Sequence, residues 1–185
     1  MSDPLRPYRQ LARNNLLANR RLQIALAGLQ KGEWQAPRDS FFPSLRATMN
    51  HIYCVDRFYI DALQGGTLGV AAFENPEPFL DAQDLAVAQT ALDNSVLTTV
   101  LSLKPVDLDG PVYIHRAQRI QVDALSDTLM HLFLHSQHHR GQVHAMLSAT
   151  SIKPPQLDEF FMADDARFRA DDLAALQWTE TDLMS

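Results

Sequence analysis

Apolar residues recur at three- and four-residue intervals through four long stretches of this chain, and each stretch reads as an amphipathic helix. The first runs from about Leu5 to Lys31, ends near Gly32, and carries Tyr8, Leu11, Ala18, Leu22, Leu26 and Leu29 on one stripe. A loop with Trp34, Pro37 and Pro43 follows, and Pro43 suits the first turn of a second helix reaching about Leu63. Leu45, Met49, Ile52, Tyr59 and Leu63 form its inner stripe, Cys54 points away from it, and Gly65-Gly66 stops it. Residues 66–80, with Pro76 and Pro78, read as loop. Asp81 can then cap a third helix from about Asp84 to Leu103, with Leu85, Ala88, Leu92, Val96, Thr99 and Leu103 inward.

Beyond Pro105 the period changes. Val112-Tyr113-Ile114 and Ile120-Gln121-Val122 predict a small hairpin. The fourth helix spans about Asp123 to Ala149, ahead of Lys153-Pro154-Pro155, and a short helix covers about Ala163 to Leu176 before a loose polar terminus. Four such helices predict an all-α four-helix bundle in one domain, with a core at about 5–150 and a C-terminal extension over 151–185. The long connection before the fourth helix predicts a crossover rather than simple up-down-up-down topology.

Polar residues that break these stripes are the informative ones. Asn15 and Asn19 sit one turn apart in the first stripe, where unpartnered amides are costly. Either they hydrogen-bond between helices or they line a polar pocket. Asp56 lies near the centre of the second stripe and needs a partner there. His51 lies on the flank of that stripe, the position of a boundary histidine. Gly141, inside the fourth helix, predicts close approach by another backbone or a ligand.

Four of the seven histidines (His131, His135, His138 and His139) fall within nine residues of the fourth helix. At about 100° per residue, His139 lies inside the arc of Leu129, Leu132 and Val143, and His135 lies roughly 40° away on its flank. His131 and His138 fall outside. Helical phase thus selects His135 and His139 as an inward pair one turn apart, a spacing at which two imidazoles can share one cation. A polar helix edge with one satisfied core histidine is the other reading, and a third ligand would have to come from elsewhere.

Composition narrows the classes. A net charge of −6 without any Lys/Arg-rich run gives no electrostatic reason for nucleic-acid binding. The segment Met1-Ser-Asp-Pro-Leu-Arg-Pro has no apolar h-region, and no run approaches the roughly 18 apolar residues of a membrane span. One cysteine, Cys54, allows neither an intrachain disulfide nor a multi-cysteine zinc site, and a cytoplasmic protein is expected. A di-iron carboxylate bundle needs several inward glutamates, whereas Glu33, Glu74, Glu77, Glu159 and Glu180 all fall in predicted loops or the tail.

Two motifs carry a resemblance. His135-x-x-His138-His139-Arg140-Gly141-Gln142, and Asn50-His51-Ile52 ahead of Asp56, Phe58 and Tyr59, resemble the DinB/YfiT-like superfamily of metal-binding bundles over most of the chain. The resemblance implies that His51, His135 and His139 bind a divalent metal, with Asp56, Asn15, Asn19, Arg140 and Gln142 as candidates for a supporting layer or pocket. It also implies a homodimer, for which the aromatic pair Phe160-Phe161 offers a surface or, equally, packs on its own bundle.

Three neutral imidazoles leave an ion's full charge and an open coordination position for water or substrate. Imidazole suits Zn, Ni, Cu and Fe, so the ligands do not choose the metal. Some relatives are thiol S-transferases using low-molecular-weight thiols, so the resemblance implies a metal-dependent thiol transferase. A non-catalytic metal-binding stress or structural protein is the second reading, and a metal-dependent hydrolase the third, with Asp56 its only evident base.

Overall fold

A computed structural model describes residues 3–158 and 161–185 of the chain. Four long helices carry it: α1 (Arg6–Ala27), α2 (Leu45–Leu63), α3 (Ala82–Ser102) and α4 (Leu125–Leu147). Between α3 and α4 stands the expected hairpin, β1 (Pro111–His115) antiparallel to β2 (Ile120–Ala124) with Tyr113 opposite Val122. Among the described residues no helix is long and apolar enough to cross a membrane.

Capping residues set the helix starts. Ser44 accepts from the Ala47 backbone N–H to open α2, so Pro43 lies just ahead of the helix rather than in its first turn. Asp81 caps α3 as expected, accepting from the backbone N–H groups of Gln83 and Asp84.

Two core clusters give the sense of each helix. One joins Leu22 and Leu26 late in α1, Met49 and Ile52 early in α2, Leu85 early in α3, and Val143 and Met146 late in α4. The other joins Ala12 and Leu16 with Phe58 and Tyr59, Val96 and Val100, and Leu129 and Leu132. Helices α1 and α4 therefore run one way and α2 and α3 the other. Packing is chiefly α1 on α3, α2 on α4, α2 on α3 and α1 on α4, which puts α1 and α2 on opposite corners.

A crossover is present, and it lies between α2 and α3. Residues 64–81 travel the length of the bundle, with Leu68 and Ala72 against one cluster and Phe79 against the other. The connection ahead of α4 stays at one end, because the hairpin folds back on itself. Asn50 pins the crossover: its amide donates to the Phe79 carbonyl (2.8 Å) and accepts from the Phe79 N–H (2.9 Å). The same segment covers Cys54, which is buried with Sγ 3.8 Å from the Asn75 carbonyl, not turned to solvent.

The terminus is ordered rather than loose. After a 3₁₀ turn at Ala163–Phe168, α5 (Ala170–Leu176) and α6 (Glu180–Met184) lay Leu173 and Leu183 on Leu17 and Ala18 of α1. This is why α1 is buried around more of its circumference than one stripe would require. Phe161 is half-buried beside Leu11 and Leu157, and Phe160 lies outside the described residues.

Candidate functional site

The antiparallel packing of α2 on α4 brings His51 opposite His135 and His139, although 84 residues separate His51 from His135. One nitrogen from each ring lies within 4.8 Å of the other two. The two Nε2 atoms of His51 and His135 are 3.1 Å apart. Zn–N bonds of ~2.0–2.1 Å separate tetrahedral ligand nitrogens by roughly 3.3 Å, so this pair already has ligand-like spacing. The rings of His51 and His139, and of His135 and His139, meet with centroids 4.6 and 4.4 Å apart.

The electrostatics keep these rings neutral. Burial, followed by the His139 charge, pushes His51 down to about 4. Burial pushes His135 down to about 3, with His139, His51, His131 and His138 adding to it. His139 is lowered chiefly by burial, with Gln142 opposing. Near neutral pH each imidazole thus presents a lone pair, the form a metal requires. Among the described residues no carboxylate joins the cluster.

Gln142 orients one of the three. Its side-chain oxygen accepts from Nδ1 of His139 at 2.8 Å, while its amide nitrogen faces Nε2 of His138 at 3.2 Å. The proton on Nδ1 leaves the Nε2 lone pair of His139 free. Phe42 closes one side, its ring 4.3 Å from that of His51 and 5.5 Å from that of His139. His131 stands one turn from His135 and packs on Tyr59, outside the cluster.

The remaining expected neighbours form a second structure. Asp56 accepts from Ser136 Oγ at 2.7 Å and Gln89 Nε2 at 2.9 Å, not from an imidazole. Asn15 and Asn19 both donate to Asp93 and both accept from Arg140. All of these side chains are buried, so the asparagines make the interhelical bonds that their position required, and Arg140 is turned into the core. Burial raises Asp56 to about 6 against the hydrogen bonds of Ser136 and Gln89 and the Arg140 charge. Asp93 is raised to about 8 by burial and then by Asp56, opposed by Gln89, Asn19 and Arg140. One guanidinium thus faces two carboxylates, and burial beside Asp56 favours the protonated form of Asp93 near neutral pH. Among the described residues, no atom beyond the adjoining turns of its own helix would lie within 4 Å of a Cβ at Gly141, so the expected close backbone approach is not there.

Sequence reasoning did not find Gln89, Asp93, Ser136 or Phe42. The inner face of α3 is Leu85, Gln89, Asp93, Val96, Leu97 and Val100, turned from the apolar stripe expected for it. The available signal was the four-residue step from Leu85 to Gln89 to Asp93, which stays in phase with Val96 and Val100.

The sequence profile of the DinB family matches residues 1–177. Protein DinB of Bacillus subtilis (strain 168) is 26% identical over 137 residues, which cover 72% of this chain and 80% of that protein.

Proposed function

The chain belongs to the DinB family, and from that premise we propose that His51, His135 and His139 hold a divalent metal ion in a thiol S-transferase. The observation that carries the reading is the convergence of three neutral imidazole nitrogens within 4.8 Å with no carboxylate among them. Such a donor set fits Zn, Ni or Fe and leaves the ion's charge unneutralised. When bound, the ion supplies Lewis acidity that lowers the pKa of a coordinated thiol or water towards neutrality.

The protein's own groups then divide the work. His51, His135 and His139 bind, Gln142 fixes the tautomer of His139, and Phe42 restricts water on one side. The net reaction joins a low-molecular-weight thiol to an electrophile: a C–S bond forms, the leaving group departs with its electron pair, and the thiol proton goes to solvent. Hydrolysis is disfavoured because Asp56, the base it would need, is held by Ser136 and Gln89. A cytoplasmic homodimer belongs to the same proposal, and sedimentation equilibrium reads the association state directly.

The test is elemental analysis of protein purified without a polyhistidine tag, beside a His51→Ala/His135→Ala/His139→Ala variant. Near-stoichiometric metal in the wild type, lost in the variant, is expected, together with thiol-dependent turnover of an electrophile by the loaded protein alone. No uptake after reconstitution with each ion overturns the metal site. Full loading without turnover over a panel of thiols favours a non-catalytic metal-binding role.

A further inference from the structure

A cavity of about 310 Å³ lies between the hairpin and the α2/α4 groove, and its wall on α4 includes His131, whose ring centroid is 6.1 Å from that of His135. Its walls include Tyr59, Arg116, Gln121, Asp123, Asp127 and His131. Tyr59 lies eight residues beyond His51 on α2, while His131 and Asp127 lie four and eight residues before His135 on α4. Because the helices are antiparallel, these steps lead the same way from the cluster. At about 1.5 Å per residue, Asp127 is roughly 12 Å from His135 along the axis.

Arg116 is held for use. Its Nε donates to Gln121 Oε1 at 3.0 Å, its guanidinium lies 4.9 Å over the Phe58 ring, and Gln121 in turn donates to Asp123. Among the described residues nothing accepts from its two terminal nitrogens, and nothing donates to the Asp127 carboxylate. A positioned fork suits a carboxylate, and the acidic pair beside it suits an ammonium. A ligand group bearing both charges within a few bonds is an α-amino acid.

We propose that this cleft binds the α-amino-acid end of a peptide-sized thiol whose sulfur reaches the three histidines; the sulfur half of the statement rests on the metal–thiol reading above. The cleft supplies what the histidines lack, since three neutral rings and an ion distinguish one thiol from another only weakly. Simple thiols without the charged end gain nothing from Arg116 or Asp127.

Glutathione and 2-mercaptoethanol are the probes, titrated into cobalt(II)-loaded protein while the thiolate-to-cobalt absorption is followed. Glutathione is expected to bind at least tenfold more tightly. Arg116→Ala and Asp127→Asn should each weaken it at least fivefold, leaving 2-mercaptoethanol and cobalt affinity unchanged. Equal affinity for both thiols, or unaltered glutathione binding in both variants, overturns the proposal. A second arm needs no metal: S-methylglutathione titrated into metal-free protein should shift the NMR signals of the His131 ring and Arg116 Hε, and the His131 shift should be lost in Arg116→Ala. Those shifts in a protein that takes up no cobalt would uphold the cleft and reject the metal site. Their absence overturns the cleft whatever the metal result.

Discussion

The side-chain oxygen of Gln142 lies 2.8 Å from Nδ1 of His139, one turn along the same helix. A local contact of this kind settles which nitrogen carries the proton, and hence which one is offered to a cation. Replacing Gln142 with Leu should weaken zinc binding by about 10–100-fold while changing the unfolding midpoint little. Competition with a chromophoric chelator gives the affinity; unchanged affinity would show that His139 needs no such support.

Arg140 makes a stability prediction. It is buried with Asp56 and Asp93 as its charge partners and donates to Asn15 and Asn19. Arg140→Ala leaves that polar core uncompensated and should cost about 3–5 kcal/mol in urea unfolding. Lysine, a point charge without the planar fork, should restore only part of it. A loss under about 1 kcal/mol would mean that water enters and replaces the guanidinium.

Asp93 makes a pH prediction. Its folded pKa of about 8 stands above the unfolded value near 3.8, so over that interval the folded state keeps a proton that the unfolded chain releases. Stability must then fall as pH rises, by up to about 1.4 kcal/mol per pH unit. His51 and His135, whose values are depressed, act in the opposite sense below about 6.5. The useful window is therefore about pH 7 to 8, where Asp93→Asn should flatten the slope seen in the wild type. A wild type with no slope there would mean that Asp93 is ionised in the folded state.

Leu183, fully buried against α1, should behave as core despite its place two residues from the end of the chain. Leu183→Ala is expected to cost about 2–4 kcal/mol in reversible thermal unfolding. Little or no change would mean that α6 undocks independently of the bundle.

Phase along a helix was enough to pair His135 with His139, because two points on one helix are fixed by 3.6-residue geometry alone. His51 was different. Its place on the flank of α2 fits a boundary residue equally well, and only the family resemblance or the packing of α2 on α4 brings it to the others. Gln89 and Asp93 escaped notice for the opposite reason: they occupy the inner face of α3, and a search for apolar residues rotates away from them. Phe42 sits in a loop, where no period relates side chains to one another. Cys54 was misplaced because the crossover covering it is itself invisible to helical phase.

The packing of α2 on α4 also bears on the order of events in folding. The imidazoles of α4 meet that of α2 across a loop of 84 residues that contains the crossover, α3 and the hairpin. Closing such a loop carries an entropic penalty before any contact between its ends is gained. The three-histidine cluster is accordingly expected to form after the local contacts within each helix and the hairpin. An ion held there would act as a clasp on the finished bundle, slowing its opening more than it hastens its assembly.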